Sequence, residues 1–219
     1  MISQKHVFWE ALIITICVFG IGILLGVWVE NARTDKIAEM YVSSELEMLD
    51  VRLQTSILDM GDINCDNVVK ENLEFADRIY FEAITLSKYE NSNELTDDIV
   101  LQHKKYDLLR TQLWLNSIKI KERCNPDYVN IVYFYEYIDP SLDKKSRQGV
   151  FSKVLEDVKD VKNEEVILIP IAADLNIVSL ELLKSRYGID ELPTILIDEN
   201  VKITNLNSPD EILSILDNL

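Results

Sequence analysis

The sequence has few of the residues on which redox and metal chemistry depend. Of its 219 residues, three are cysteine and two are histidine. Cys17, Cys65 and Cys124 form no C-x-x-C pair, which excludes the usual zinc-ribbon and dithiol-redox motifs. His6 and His103 stand far apart and lack ligand spacing, so we predict that both are solvated surface residues. We expect no metal and no cofactor.

Positive charge is also scarce. The chain carries 22 Lys and Arg residues against 38 Asp and Glu residues, a formal net charge of -16. Such a surface repels phosphate backbones and anionic head groups, so nucleic-acid binding is not expected and a basic or neutral protein or peptide partner is favoured. The sequence has no phosphate-binding loop, nucleophile elbow or H-E-x-x-H motif. These absences favour a binding role over an enzymatic one.

Charged residues are absent from Ala11 to Val29, which is mostly Ile, Leu, Val and Gly. A helix needs roughly 20 such residues to cross a bilayer core of about 30 Å. Trp9 and Trp28 fit the aromatic belts of the two interfaces. We therefore predict a single-pass membrane anchor over residues 1–30, which contacts the lipid bilayer through residues 8–29.

Several properties of this apolar segment stay open. A cleaved signal peptide is the alternative, although the apolar core exceeds the usual length of roughly 7 to 15 residues. Gly22 and Gly26 make a small-xxx-small spacing that would permit a homodimer. Lys5 on one side and Arg33 and Lys36 on the other leave the orientation undecided by the positive-inside rule.

Proline is absent from residues 31–123 and Gly61 is the only glycine there, which predicts a helical region over residues 31–124. Turn-forming residues at 60–64 and 91–93 divide it into three antiparallel helices. Seven-residue spacing in the third helix is typical of coiled-coil packing. The predicted inward residues are Val42, Leu46, Leu49, Leu53, Ile57 and Met60; Val69, Leu73, Ala76, Tyr80 and Ala83; and Ile99, Tyr106, Leu109, Leu113 and Ile120.

The antiparallel arrangement brings Cys65, at the start of the second helix, close to Cys124, at the end of the third. We predict a disulfide bond between them, which would stabilise the fold by roughly 3 to 4 kcal/mol. Two buried free thiols are the alternative. A disulfide bond would indicate an oxidising compartment, and hence an extracytoplasmic location for the part of the chain outside the membrane.

From residue 125 onward, the pattern changes to alternating strands and helices in the order β-α-β-α-β-β-α. Right-handed crossovers and a final hairpin predict a mixed sheet that is covered on both faces. The predicted strands are 129–135, 166–171, 194–197 and 201–204, and the predicted helices are 144–161, 175–187 and one that begins at Ser208–Pro209. Val150, Val154, Leu155 and Val158 should face the sheet from the first of these helices.

Tyr187-Gly188-Ile189, followed by Leu192-Pro193-Thr194 and an apolar strand, resembles the cis-proline loop of the thioredoxin superfamily. The resemblance covers residues 128–219 and implies a thioredoxin-like domain over residues 125–219. It implies a cis Leu192–Pro193 bond, with an ordinary trans bond as the alternative. It also implies that Leu192, Pro193 and Thr194 belong to a face that binds extended polypeptide.

The redox cysteines of that superfamily normally follow the first strand, where this sequence has Asp139-Pro140-Ser141-Leu142. The chain has no thiol after Cys124. The resemblance therefore implies a redox-inactive binding module. We expect Asp139 to cap the following helix and include it in the predicted binding face. Tyr135 and Tyr137, at the end of the first strand, would add aromatic contact area beside the cis-proline loop, with a place in the core as the alternative for Tyr135.

Three functions fit these features. The first is a membrane-anchored, redox-inactive thioredoxin-like protein that binds polypeptide or assists assembly. The second is an atypical thiol–disulfide oxidoreductase that uses Cys65 and Cys124 as its working pair. The third is a structural subunit of a membrane complex, whose helical region supplies the interface.

Overall fold

The computed structural model describes the backbone of residues 4–61, 63–90, 97–206 and 208–219. The chain forms two compact units, Met1–Ser44 and Glu45–Leu219. The elements are α1 (Gln4–Met60), α2 (Cys65–Glu90), α3 (Asp97–Cys124), β1 (Val129–Tyr135), α4 (Leu142–Lys162), a 3₁₀ turn (Asn163–Glu165), β2 (Val166–Ala172), α5 (Val178–Tyr187), β3 (Thr194–Ile197), β4 (Val201–Ile203) and α6 (Pro209–Leu216). The protein is thus mostly helical, with one small sheet.

The first unit contains the amino-terminal part of α1. Phe8–Val29, with a mean hydropathy of 2.7, is the one helical stretch of the described residues that is long and apolar enough to cross a membrane. A signal sequence near an amino terminus meets the same criteria. The membrane anchor therefore stays a prediction.

In the second unit, α2 and α3 pack against each other and a disulfide bond joins their ends. Cys65 opens α2, Cys124 closes α3, and their Cα atoms are 5.4 Å apart. The predicted bridge is therefore present, and the start of α2 lies beside the end of α3 as an antiparallel pair requires. The predicted turn at residues 91–93 lies outside the described residues.

The predicted inward stripe of α3 is confirmed except at Ile99, which is only half-buried. Tyr106, Leu109, Leu113 and Ile120 are almost completely buried, and so is Trp114. In α2 the prediction is partly wrong, because Phe75 and Ile79 are buried with Ala76 and Ala83 while Val69, Leu73 and Tyr80 are only half-buried. α3 contacts α2 and both β1 and β2 of the sheet, and α2 also contacts β2.

The predicted inward stripe of α1 is wrong. Leu46, Leu49, Leu53, Ile57 and Met60 are each more than half exposed, and Val42 in the first unit is exposed as well. The opposite side of the helix packs instead: Val51 is 1% exposed and Leu58 is 2% exposed. Thr55, between them, donates a hydrogen bond to Asn116 Oδ1 of α3 (3.0 Å). Apolar residues on two faces of one helix do not reveal which face packs.

The sheet is mixed, as predicted, with the strand order β2-β1-β3-β4. β1 is parallel to β2 and antiparallel to β3, and β4 pairs with β3 as a hairpin. Side chains of β1 alternate between two faces. Ile131 and Tyr133 join a core with Phe151 of α4 and Ile212 of α6, and Phe134 packs on Trp114 (5.9 Å between ring centroids).

One inward residue of α4 is also corrected. Val154, Leu155 and Val158 are buried as predicted, but Val150 is 46% exposed and Phe151 is buried in its place. Successive helical residues differ by about 100° in direction, so the edge of an inward stripe is the least certain part of the pattern.

Strand β2 is an edge of the sheet, and its backbone is protected from pairing with another strand. The Val166 carbonyl accepts a hydrogen bond from Lys159 Nζ (2.9 Å), and the Ala172 N–H donates to Asp107 Oδ2 (3.3 Å). Pro170 has no N–H to offer. Helices α2 and α3 also pack against β2 within Glu45–Leu219, so the predicted domain division after residue 124 stays a prediction.

Candidate functional site

Three loops meet at the end of the sheet where β1 and β2 both terminate, because parallel strands have their carboxyl ends at the same edge. They are residues 136–141 after β1, 173–177 after β2 and 188–193 before β3. The last loop belongs here because Thr194 pairs with Phe134 near the end of β1. The Leu192–Pro193 bond is cis, as the resemblance implies.

The loop after β1 is held by two side chains from neighbouring elements. The N–H groups of Tyr137 and Ile138 donate to the two carboxylate oxygens of Asp174 (2.9 and 2.7 Å). The Gln148 side chain of α4 accepts from the Glu136 N–H and donates to the Glu136 carbonyl (3.0 Å each). These four hydrogen bonds fix the backbone of the loop.

The residues predicted for binding differ in accessibility. Pro193 and Thr194 are buried, and the Thr194 hydroxyl donates to the Glu191 carbonyl (2.6 Å). Leu192 and Tyr137 are half-buried, whereas Asp139 is exposed. Of the five residues, Leu192, Tyr137 and Asp139 therefore have accessible side-chain surface.

The predicted capping role of Asp139 is wrong. The N-cap of α4 is Ser141, whose hydroxyl oxygen accepts a hydrogen bond from the Lys144 N–H (3.4 Å). Asp139 has a φ angle of 49°, in the left-handed region that aspartate tolerates better than most residues. Its role in the turn is thus conformational, and its carboxylate stays on the surface.

Large apolar side chains are exposed at this end of the sheet. Leu142, at the first position of α4, is 88% exposed, and Val178, at the start of α5, is 77% exposed. Ile138 is also exposed, on the loop whose backbone Asp174 holds. We call Ile138, Leu142 and Val178 the apolar rim.

Beside the rim lies a cleft of about 690 Å³, which we call the tyrosine cleft. Its floor is formed by β1 and β2, and its walls are α4 on one side and α2 and α3 on the other. Aromatic residues, the glycine of α4 and two prolines contribute to its lining: Tyr80, Tyr133, Tyr135, Tyr137, His103, Gly149, Pro140 and Pro170. The predicted residues Tyr137 and Asp139 both line it.

His103 lines this cleft and is buried (3% exposed), so the prediction that it is a surface residue is wrong. Its ring stacks on Tyr137 (3.8 Å between centroids), and its Nε2 lies 2.9 Å from the Tyr135 hydroxyl. The side chain of His6 lies outside the described residues. The stacked pair gives the cleft wall a fixed shape.

Behind His103 lies a buried ion pair that sequence reasoning missed. Asp107 Oδ1 accepts from Arg110 Nη1 (2.8 Å), and Asp107 Oδ2 lies 3.3 Å from His103 Nε2. Burial raises the pKa of Asp107, while His103 and Arg110 favour its charged form. Burial alone would lower the pKa of Arg110, but Asp107 raises it above its ordinary value. The spacing of these residues at i, i+4 and i+7 on one helix face was the available signal.

The disulfide bond lies at the other end of β1 from the candidate site. Cys124 is a few residues before Val129, which begins the strand, and a seven-residue strand spans roughly 20 Å. Asp139 follows the opposite end of that strand. Pro193 is next to Thr194, which pairs with Phe134 near the same end. Within the described ranges, no group of three His, Cys, Asp or Glu side chains is arranged to hold a metal ion.

No protein-family model and no curated protein matches the chain. Among solved structures, one described as the structure of a malarial protein is 16% identical, has a TM-score of 0.34, and covers 42% of this chain and 96% of its own. The crystal structure of chloroplastic thioredoxin z is 19% identical, has a TM-score of 0.34, and covers 45% of this chain and 83% of its own. Both likenesses are weak, and neither assigns the chain to a family.

Proposed function

We propose that this protein is a membrane-anchored, redox-inactive thioredoxin-like module that binds a polypeptide at the end of the sheet where β1 and β2 terminate. The observation that carries the proposal is the apolar rim. Leu142 and Val178 are exposed on helices, and Ile138 is exposed on a loop fixed by Asp174. Exposed apolar side chains that rigid elements bring to one end of the sheet support an interaction surface there.

The absence of thiols from this end of the sheet supports a binding role without redox chemistry. Asp139 and Leu142 stand where the resemblance places the cysteines of the superfamily, and Ser141 between them is engaged as the N-cap of α4. The distance of the Cys65–Cys124 bond from the rim gives the oxidoreductase hypothesis no geometric support, because a working pair has to meet its substrate at the binding face.

The disulfide bond also supports the proposed location. Such bonds persist in oxidising compartments and are rare in the cytosol. With Phe8–Val29 as the anchor, the unit Glu45–Leu219 would then lie outside the cytoplasm. Thiol blocking in native membranes, followed by peptide mass analysis without reductant, tests this: a stoichiometric bridge is expected, and free Cys65 and Cys124 would contradict the assignment.

The binding surface is tested by placing a photo-crosslinking amino acid at single positions of the full chain in its native membrane. We expect partner adducts from position 138 or 142. Val161 is the matched control, because it is exposed and apolar but lies at the other end of α4 from Leu142. Adducts from position 161 alone, or none at the rim, would overturn the proposed surface.

The exposed stripe of α1 favours a second candidate function, that of a structural subunit in a membrane complex. Leu46, Leu49, Leu53 and Ile57 form an apolar face opposite the face that packs in this chain. A helix that is apolar on two faces normally buries both. Under this alternative, Leu53→Asp would disrupt association and Leu142→Asp would leave it unchanged, whereas the first proposal expects the reverse.

A further inference from the structure

The tyrosine cleft points to a specific class of polypeptide. Resting on the proposed function, we propose that the cleft binds a proline-rich, non-acidic segment of the partner in the polyproline II conformation. The argument depends on the rigidity of the cleft, on the chemistry of its lining, on the blocked edge of β2 and on a glycine in α4.

The aromatic walls are fixed by contacts of the lining residues with one another and with Phe151 of the core. Tyr133 stacks on Tyr135 (5.6 Å) and on Phe151 (6.0 Å), and its hydroxyl donates to the Gln148 carbonyl (3.2 Å). Tyr137 is stacked on His103. A preformed cleft binds a ligand with less loss of side-chain entropy than one that must first be ordered.

The lining suits a chain segment that has apolar rings and free carbonyl groups. A polyproline II segment has no internal hydrogen bonds, so its carbonyls can accept from the exposed Lys145 ammonium in the lining, and its proline rings pack on aromatic side chains. The half-buried rings of Tyr80, Tyr135 and Tyr137 supply that aromatic surface. The net charge of -16 opposes an acidic segment.

The main alternative for an extended peptide, addition as a strand to the sheet, is blocked at this edge. β2 borders the cleft through Leu168 and Pro170. The Val166 carbonyl already accepts a hydrogen bond from Lys159 Nζ, the Ala172 N–H already donates to Asp107 Oδ2, and Pro170 has no N–H. A peptide in the cleft therefore has to be recognised through its side chains and carbonyls, which is the polyproline II mode.

Gly149 keeps the cleft open. It lies inside α4, where glycine is less favourable than alanine, and it lines the cleft. A Cβ atom added at Gly149 would meet no atom within 4 Å, so close packing does not require glycine at this position. A larger side chain there would project into space that a ligand needs.

The test is a fluorescence-anisotropy titration of the purified full chain in nanodiscs. The probes are a labelled oligoproline peptide with terminal arginines, the same length of alternating proline and glycine with those arginines, and an oligoproline with terminal glutamates. We expect the first probe to bind at least about tenfold more tightly than either of the others.

Gly149→Phe should abolish binding of the first probe, whereas Gly149→Ala should preserve it and stabilise α4. Tyr137→Ala should weaken binding about tenfold, and Tyr187→Ala, a half-buried tyrosine outside the cleft lining, should not. Circular dichroism checks that each variant is folded.

Equal binding of the proline and glycine probes, or undiminished binding by Gly149→Phe, would overturn the inference. Failure of all probes, with rim adducts still forming from positions 138 or 142, would overturn the inference and leave the proposed function standing. Failure of the probes together with loss of the rim adducts would overturn both.

Discussion

Replacing Asp107 by asparagine should destabilise the protein strongly. The carboxylate is fully buried and accepts hydrogen bonds from Arg110 Nη1 (2.8 Å) and the Ala172 N–H (3.3 Å). Asparagine retains one oxygen but removes the charge, so the buried Arg110 guanidinium loses its counter-ion. Breaking a buried ion pair on one side costs about 3 to 5 kcal/mol.

The double variant gives the decisive comparison. Arg110→Met alone leaves the charged Asp107 without its cation, so it should lower the free energy of unfolding by a similar amount. Asp107→Asn combined with Arg110→Met leaves no unpaired charge, so it should cost no more than either single change, because a neutral replacement of both partners is often tolerated. The two single effects should therefore fail to add by several kcal/mol.

The assay is urea denaturation of the full chain, followed by tryptophan fluorescence. Trp114 is completely buried against Phe134 and Tyr187, so it reports unfolding of this unit. The slope of the transition should stay unchanged, which would show that the same surface is exposed on unfolding. Single changes that each cost less than about 1 kcal/mol, or that simply add, would refute the reasoning.

Three further predictions use the same denaturation assay. Cys65→Ser with Cys124→Ser should lower the free energy of unfolding by about 4 kcal/mol, because the bond joins residues separated by 59 positions; no change would mean that the unfolded chain keeps these ends together. Val51→Asp should be severely destabilising, whereas Leu53→Asp, on the exposed stripe of α1, should change stability by no more than about 0.5 kcal/mol. Burial, with the neighbouring Asp198 charge, raises the pKa of Glu199, so the protonated form of Glu199 stabilises the fold. This stabilisation is full below the pKa of Glu199 in the unfolded chain and is lost as the pH rises through its pKa in the folded chain. Relative to Glu199→Gln, the unmodified protein should therefore lose stability as the pH rises from the unfolded glutamate pKa of about 4 through the raised pKa of folded Glu199, and a pH-independent difference would contradict this.

Features set by local chemistry were predictable from the sequence. The run from Val129 to Tyr135 has the β-branched and aromatic composition of a buried strand, and β1 has those bounds. Gly188 ends α5 in the left-handed conformation that glycine adopts without cost, and Pro209 occupies the first turn of α6. These residues act on their own neighbours, so no knowledge of the tertiary structure is needed.

Features that depend on which surfaces meet were not predictable in the same way. The spacing of apolar residues in α1 is correct for a helix face, yet Val51 and Leu58 pack while Leu53 is exposed. His103 is an isolated histidine in sequence, and only the packing of α3 on the sheet buries it against Tyr137. Polar residues that flank an apolar helical stripe are the signal that would have drawn attention to it.

The Asp107 cluster connects the stability of the helical pair to the geometry of the candidate site. Asp107 bonds Ala172 at the end of β2, and two residues later Asp174 holds the loop that presents Ile138. Lys104 adds a hydrogen bond to the Asn176 carbonyl on the same loop (3.3 Å). Hydrogen bonds from α3 therefore hold the end of β2 and the 173–177 loop, and Asp174 of that loop holds the backbone of Ile138 in the rim. Loss of the Asp107 carboxylate should weaken partner binding as well as folding, although Asp107 is too deeply buried to contact a partner itself.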